Sequence, residues 1–134
     1  MVSRFISLVA GELSDDGVFH YINAGHPAPI WMRGSRFEKL ETGGMILGPH
    51  MRQSYRTETI QLQAGDSLLL YSDGILEYPS EHGHEFGVEG ITNWMRSCSG
   101  SVQECVDDLF AYLQIYGGGK PFQDDATVIF VRRH

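Results

Sequence analysis

The stretch Ser67-Leu68-Leu69-Leu70-Tyr71-Ser72-Asp73-Gly74-Ile75 is an apolar run that stops abruptly at an acid followed by a glycine. A short apolar run bounded by turn residues reads as a buried strand, which puts Asp73 at its carboxyl end with its charge facing a cleft. A second stretch mirrors it: Asp124-Asp125 stands directly before Ala126-Thr127-Val128-Ile129-Phe130-Val131, a β-branched strand. If the two strands are antiparallel neighbours, the end of one meets the start of the other and Asp73 comes close to Asp124. Alone, each acid reads as a turn former or a solvated strand cap, since Asp-Gly is a common turn pair. Together they predict carboxylates gathered at one sheet edge, whose repulsion a divalent cation relieves.

Composition narrows the function classes. A chain of 134 residues suits one domain able to bury its own core. The net charge of −7, from 17 acids against 10 bases with no basic cluster, argues against a nucleic-acid surface and against an anionic membrane. Residues 1–10 are too short and too β-branched for a signal peptide, and no stretch approaches a membrane span. Cys98 and Cys105 have neither paired spacing nor the Cys/His set of a zinc site, so they read as reduced packing residues of a cytoplasmic protein.

In chain order, residues 3–10 predict a strand, Asp15-Asp16-Gly17 a hairpin turn, and residues 18–23 the partner strand, with Phe19 and Tyr21 opposing Val18, His20 and Ile22. Ala24-Gly25-His26-Pro27-Ala28-Pro29 reads as a rigid loop in which His26 is a candidate ligand or base, a structural hydrogen bond being its simpler role. Residues 30–33 and 36–40 flank a Gly34-Ser35 hairpin connection. Residues 41–49 are glycine-rich, but they lack the Lys and the following helix of a phosphate-binding loop and read as a connection. Residues 55–62 form a half-exposed strand, and Ala64-Gly65-Asp66 turns the chain into the central run. After Asp73 the period changes: Val88, Ile91, Trp94, Met95 and Cys98 fall at helical spacing, as do Val102, Cys105, Val106, Leu109, Phe110 and Leu113. Ser101 with Glu104 is a capping-box signature, and Gly117-Gly118-Gly119 ends the second helix. Strands, then helices, then a last strand give an α+β fold with the helices packed against the sheet.

Five motifs, Asn23-Ala24-Gly25-His26-Pro27, Gly65-Asp66, Tyr71-Ser72-Asp73-Gly74-Ile75-Leu76-Glu77, Glu85-Phe86-Gly87 and Asp124-Asp125-Ala126-Thr127, carry a resemblance through their order and spacing. The chain resembles the bacterial SpoIIE/RsbU-type phosphatases, members of the metal-dependent PPM (PP2C-like) serine/threonine protein phosphatases. The resemblance implies an α-β-β-α sandwich of mainly antiparallel sheets with two Mn²⁺ or Mg²⁺ ions at one end. It implies Asp73 and Asp124 as catalytic metal-binding acids, with Gly74 and Asp125 as further metal-binding positions. Its substrate would be phosphoserine or phosphothreonine on a protein, such as a phosphorylated STAS-type anti-sigma-factor antagonist in bacterial partner switching. The alternative is a non-catalytic module that keeps the fold to bind such a partner.

The residue types suit that chemistry. Hard cations take oxygen ligands, and a pair of them about 3.5–4 Å apart can hold a bridging water and clamp the phosphoryl oxygens it attacks. No G-x-S-x-G elbow or Cys-centred phosphatase loop is present to suggest a protein nucleophile. One departure stands out: the family has an upstream strand pair and long helix with a Gly-Asp-x-x-Gly-x-Gly type motif whose Asp bridges both metals, and nothing here matches it. Residues 1–134 therefore resemble the carboxyl part of a single domain lacking its N-terminal strands and helix, either a shortened form or a natural fragment. The expectation that follows is one weakly held ion at most, little turnover by this chain alone, and an exposed sheet edge that favours a homodimer.

Overall fold

A computed structural model of the chain describes residues 4–48 and 54–134, so Ser3 of the predicted first strand and Pro49 of the glycine-rich connection lie outside the described residues. In chain order the elements are β1 (Leu8–Leu13), β2 (Val18–Ala24), β3 (Ile30–Arg33), β4 (Arg36–Lys39), β5 (Gly43–Gly44), β6 (Glu58–Gln61), β7 (Ser67–Tyr71), α1 (Asp73–Leu76), α2 (Gly87–Ser97), α3 (Val102–Tyr116) and β8 (Val128–Arg132). They form two sheets, one ordered β1-β2-β5 with β6 also on β2, the other ordered β4-β3-β7-β8. All the ladders are antiparallel except β2–β5.

The apolar run at Ser67–Tyr71 has no alternation because both its faces are covered. On one side Leu68 and Leu70 meet Phe19, Tyr21, Ile60 and Leu62, which packs the two sheets face to face. On the other, Leu69 and Tyr71 join Ile30, Met32 and Phe130 against Ile91, Trp94 and Met95 of α2 and Leu109 and Leu113 of α3. The layers are thus sheet, sheet and helices. The mixed fold with helices against an antiparallel sheet follows the sequence expectation, as do the alternation of Phe19 and Tyr21 in β2 and the Ser101–Glu104 capping box.

Several elements differ from the sequence reading, each for a local reason. β1 runs to Leu13 because the turn at Gly17 (φ 87°) starts the ladder immediately, pairing Leu13 with Phe19. Gly11 lies beneath Phe19, and a Cβ there would come within 2.5 Å of its ring. The glycine-rich connection holds a strand after all: β5 pairs in parallel with Asn23 and Ala24. A Cβ on Gly43 would stand 1.8 Å from the Asn23 carbonyl oxygen, so only glycine lets those backbones meet. The cysteines pack as expected, Cys105 in the core and Cys98 against it, but they are not reduced. The capping box turns α3 back on α2 so that Cys98 and Cys105, with Cα atoms 5.5 Å apart, are joined as a disulfide.

One buried charge ties β3 to the turn that leads into β7. Asp66, only 2 % exposed, accepts hydrogen bonds from Trp31 Nε1 (3.0 Å), Gln63 N (2.8 Å) and Arg33 Nε and Nη2 (3.1 and 2.8 Å). Burial alone would raise its pKa, but the Arg33, Gln63 and Trp31 donors outweigh it and hold the carboxyl below its usual value. On the rim, β1 pairs only with β2 among the described residues, and Phe5, Ile6 and Leu8 are exposed beside its open edge.

Asp66→Ala leaves the indole, the Gln63 amide and the guanidinium without an acceptor. The expected loss of stability is about 2–3 kcal/mol, below the range for fully buried pairs because Arg33 is half exposed. Because folding lowers the Asp66 pKa, its contribution is complete above the unfolded value of 3.8 and disappears as pH falls through the folded one. Urea unfolding across that acid range should show the wild type converging on the variant; a constant gap between them would show that the Asp66 charge contributes nothing.

Candidate metal centre

β7 and β8 pair antiparallel with Tyr71 opposite Val128, so the carboxyl end of one strand meets the amino end of the other. The pairing continues past the strands. Ser72 N donates to the Thr127 carbonyl (3.0 Å), Thr127 N donates to Ser72 Oγ (2.9 Å), and that hydroxyl donates to the Asp125 carbonyl (2.7 Å). Ser72 thereby draws the Asp124-Asp125 loop against the Asp73-Gly74 turn. Asp73 is the first residue of α1 rather than the last of a strand, because Ser72 serves as the helix N-cap.

Gly74 is what lets the two segments touch. A Cβ there would lie 2.3 Å from the Asp125 carbonyl oxygen and 2.9 Å from that of Asp124. Asp73, Gly74, Glu77 and Asp124 line one small cavity of about 30 Å³, backed by Tyr78. Asp125 faces an adjoining open cleft shared with Asp124, Phe110 and Phe122. The structure therefore brings Asp73, Gly74 and Asp124 together, while Asp125 contributes its backbone to the contact and its side chain to the neighbouring cleft. Asp124 Oδ1 accepts the Asp125 amide (2.7 Å), leaving its second oxygen free of that bond.

Asp73, Asp124 and Asp125 are all exposed. Among the described residues no group of three or more His, Cys, Asp or Glu side chains gathers closely enough to hold a metal ion. The donor set is nonetheless of the right kind. Two carboxylates with backbone carbonyls beside them, open to water, fit Mg²⁺ or Mn²⁺, which bind through one or two carboxylates and keep water in the remaining positions. Tyr71, just behind Asp73, has its hydroxyl pKa pushed up to about 12 by burial first, then by the negative charges of Asp73 and Glu41. It stays protonated at neutral pH and is no base. His26 makes the structural hydrogen bonds expected of it, through Nδ1 to Ser7 Oγ (3.0 Å) and Nε2 to the Tyr71 carbonyl (3.2 Å), and does not join the acids. Sequence reasoning missed Ser72, whose hydroxyl makes no cap on α1 and instead bonds Asp125 and Thr127, partners more than fifty residues away.

A family model described as Stage II sporulation protein E (SpoIIE) matches residues 2–134. The chain belongs to the SpoIIE family. It is 29% identical over 136 residues to the phosphoserine phosphatase RsbU of Bacillus subtilis, covering 98% of this chain and 40% of that protein. The PP2C phosphatase domain of SpoIIE from Bacillus subtilis, solved with a fragment of its regulatory domain, superposes with a TM-score of 0.77 at 25% identity, covering 94% of this chain and 38% of that one. A structure of the same SpoIIE phosphatase domain presoaked with Mn matches with a TM-score of 0.72 at 25% identity, covering 95% and 56%. The RsbU and RsbW domains of Rv1364c from Mycobacterium tuberculosis match with a TM-score of 0.71 at 25% identity, covering 95% and 37%. The chain thus has the PP2C fold in part and spans less than half of the curated relatives it matches. In this SpoIIE-family chain the Asp-Gly and Asp-Asp segments are the two that meet at the sheet end.

Gly74→Ala tests that meeting directly. The added methyl must push the Asp124-Asp125 carbonyls away, at an expected cost of about 1–3 kcal/mol, read as a lower melting temperature. An unchanged melting temperature would mean that the two segments are not in tight contact.

Proposed function

We propose that the chain is part of a metal-dependent protein serine/threonine phosphatase of bacterial signalling, acting on phosphoserine or phosphothreonine. The observation that carries this reading is the convergence of Asp73-Gly74 and Asp124-Asp125 on one end of the β7–β8 pair. It is supported by membership of the SpoIIE family and by likeness to a protein named as a phosphoserine phosphatase. Asp73 and Asp124 are the proposed principal ligands of Mn²⁺ or Mg²⁺, with Gly74 and Asp125 completing the set. When bound, a pair of such ions supplies a water of lowered pKa and a clamp on phosphoryl oxygens. The chain's own part is to hold the carboxylates at fixed separation through Ser72 and the close approach at Gly74.

The proposed substrate is a phosphorylated STAS-type anti-sigma-factor antagonist in the cytoplasm, a reading supported by the likeness to RsbU and to a protein joining RsbU and RsbW domains. No nucleic acid or membrane enters the proposal, and no described helix is long and apolar enough to cross a bilayer. A second reading, a non-catalytic phosphatase-fold module, is favoured by the scarcity of ligands, since no three such side chains converge among the described residues. In either reading the open β1 edge with Phe5, Ile6 and Leu8 is the proposed surface for a homodimer.

Melting curves with and without Mn²⁺ test the metal reading. Saturation at about a hundredfold over Kd stabilises by about 2.7 kcal/mol, and Asp73→Asn and Asp124→Asn should each diminish the shift. An identical response in wild type and both variants would show that these acids are not ligands. Turnover discriminates in one direction: in either reading the chain by itself is expected to hydrolyse a phosphoserine peptide barely, if at all. Robust Mn²⁺-dependent hydrolysis that disappears in Asp73→Asn would instead show that its own acids suffice.

A further inference from the structure

The ring of His26 bridges the segment before β1 and the end of β7. Its Nε2 lies 3.2 Å from the Tyr71 carbonyl and its Nδ1 lies 3.0 Å from Ser7 Oγ. A carbonyl only accepts, so Nε2 carries the proton and Nδ1 accepts from the serine hydroxyl. The loop that aims the ring is itself fixed. Asn23, 4 % exposed, accepts the His26 amide at Oδ1 (2.9 Å) and donates from Nδ2 to the carbonyls of His26 (3.0 Å) and Leu40 (3.2 Å).

The carbonyl it holds is at a decisive place. β3 pairs with β7 only as far as Leu69, so beyond it the β3 side of β7 has no strand partner among the described residues. In the Tyr71–Ser72 peptide the N–H points to β8, where the Thr127 carbonyl accepts it at 3.0 Å. A trans peptide is planar, so the carbonyl points the opposite way, and His26 takes it where β3 has ended. One peptide plane is therefore gripped from both sides, and the next residue but one from Tyr71 is Asp73.

We propose that His26 is a positioning residue: with Thr127 it locks the Tyr71–Ser72 peptide and so fixes the backbone from which Asp73 reaches the candidate metal centre. The link to metal rests on the phosphatase reading above; the grip itself does not. Without the imidazole, the peptide keeps its bond to β8 but is free to tilt about it, and α1 tilts with it. The effect belongs at Asp73 rather than across the core, because the half-buried His26 ring makes its hydrogen bonds to Ser7 and to the end of β7.

Amide hydrogen exchange on the metal-free chain and Mn²⁺ titration of the same samples test this together. In His26→Ala the amides of Ser72, Ile75, Leu76 and Glu77 should exchange about tenfold faster while those of α2 and α3 keep their rates, the signature of one lost hydrogen bond. His26→Gln, which retains a side-chain N–H donor, should restore most of that protection. The Mn²⁺ Kd should rise roughly three- to tenfold in His26→Ala and clearly less in His26→Gln. If His26→Ala does not fold, Ser7→Ala, which frees the other side of the ring, should show a smaller change at the same amides. Unchanged protection from Ser72 to Glu77, or uniform acceleration throughout the chain, would overturn the proposal, as would local loosening with unaltered Mn²⁺ affinity. A wild type that binds no Mn²⁺ would overturn the metal reading, while the exchange pattern would still decide whether His26 grips the strand end.

Discussion

The pairing of β7 with β8 is the constraint on which the remaining structure depends. β7 is apolar throughout and needs cover on both faces, so one sheet must close over Leu68 and Leu70 while two helices close over Leu69 and Tyr71. Its antiparallel register then leaves no freedom about where the acids lie. Asp73 comes two residues after the end of β7 and Asp124-Asp125 stand just before Ala126-Thr127, which lead into β8, and antiparallel strands meet end to start. Hydrophobic burial thereby sets the address of the charged residues, which contribute nothing to the core themselves.

Polar contacts refine that address. Ser72 binds the backbone on both sides of Ala126, through the Asp125 carbonyl and the Thr127 amide, and Gly74 permits an approach that any side chain would block. At the far end of β7, Asp66 collects donors from β3 and from the turn before the strand, which anchors the start of the same element whose end carries Asp73. A strand held at both ends by satisfied polar groups transmits little movement to the residues beyond it. That rigidity is what a site built from exposed carboxylates requires, since the acids themselves make few contacts that would hold them.

Much of this was legible in the residues. Asp73 and Asp124 could be placed together because one closes an apolar run and the other opens one, and the helices announced themselves through the spacing of Ile91, Trp94, Leu109 and Leu113. What was not legible depended on partners distant in sequence. Gly43 looks like loop punctuation until Asn23 is seen against its Cα, and the predicted first strand stops before Gly11, whose missing side chain leaves room for the Phe19 ring. Cys98 and Cys105 read as reduced because periodicity describes a helix but not the angle at which the next one returns to bring the two together. Asp66 seemed a turn former because a single sequence does not show that Arg33 and Trp31, on a different strand, face it.

The central claim is that Asp73 and Asp124 converge to hold a cation, and crystals of the chain grown with Mn²⁺ test it most directly through anomalous scattering of the metal. The account predicts an anomalous peak at the end of the β7–β8 pair, within coordination distance of a carboxylate oxygen from each of Asp73 and Asp124, with water in the remaining positions. A peak elsewhere, or ordered Asp73 and Asp124 carboxylates turned apart with no metal between them at saturating Mn²⁺, would contradict it.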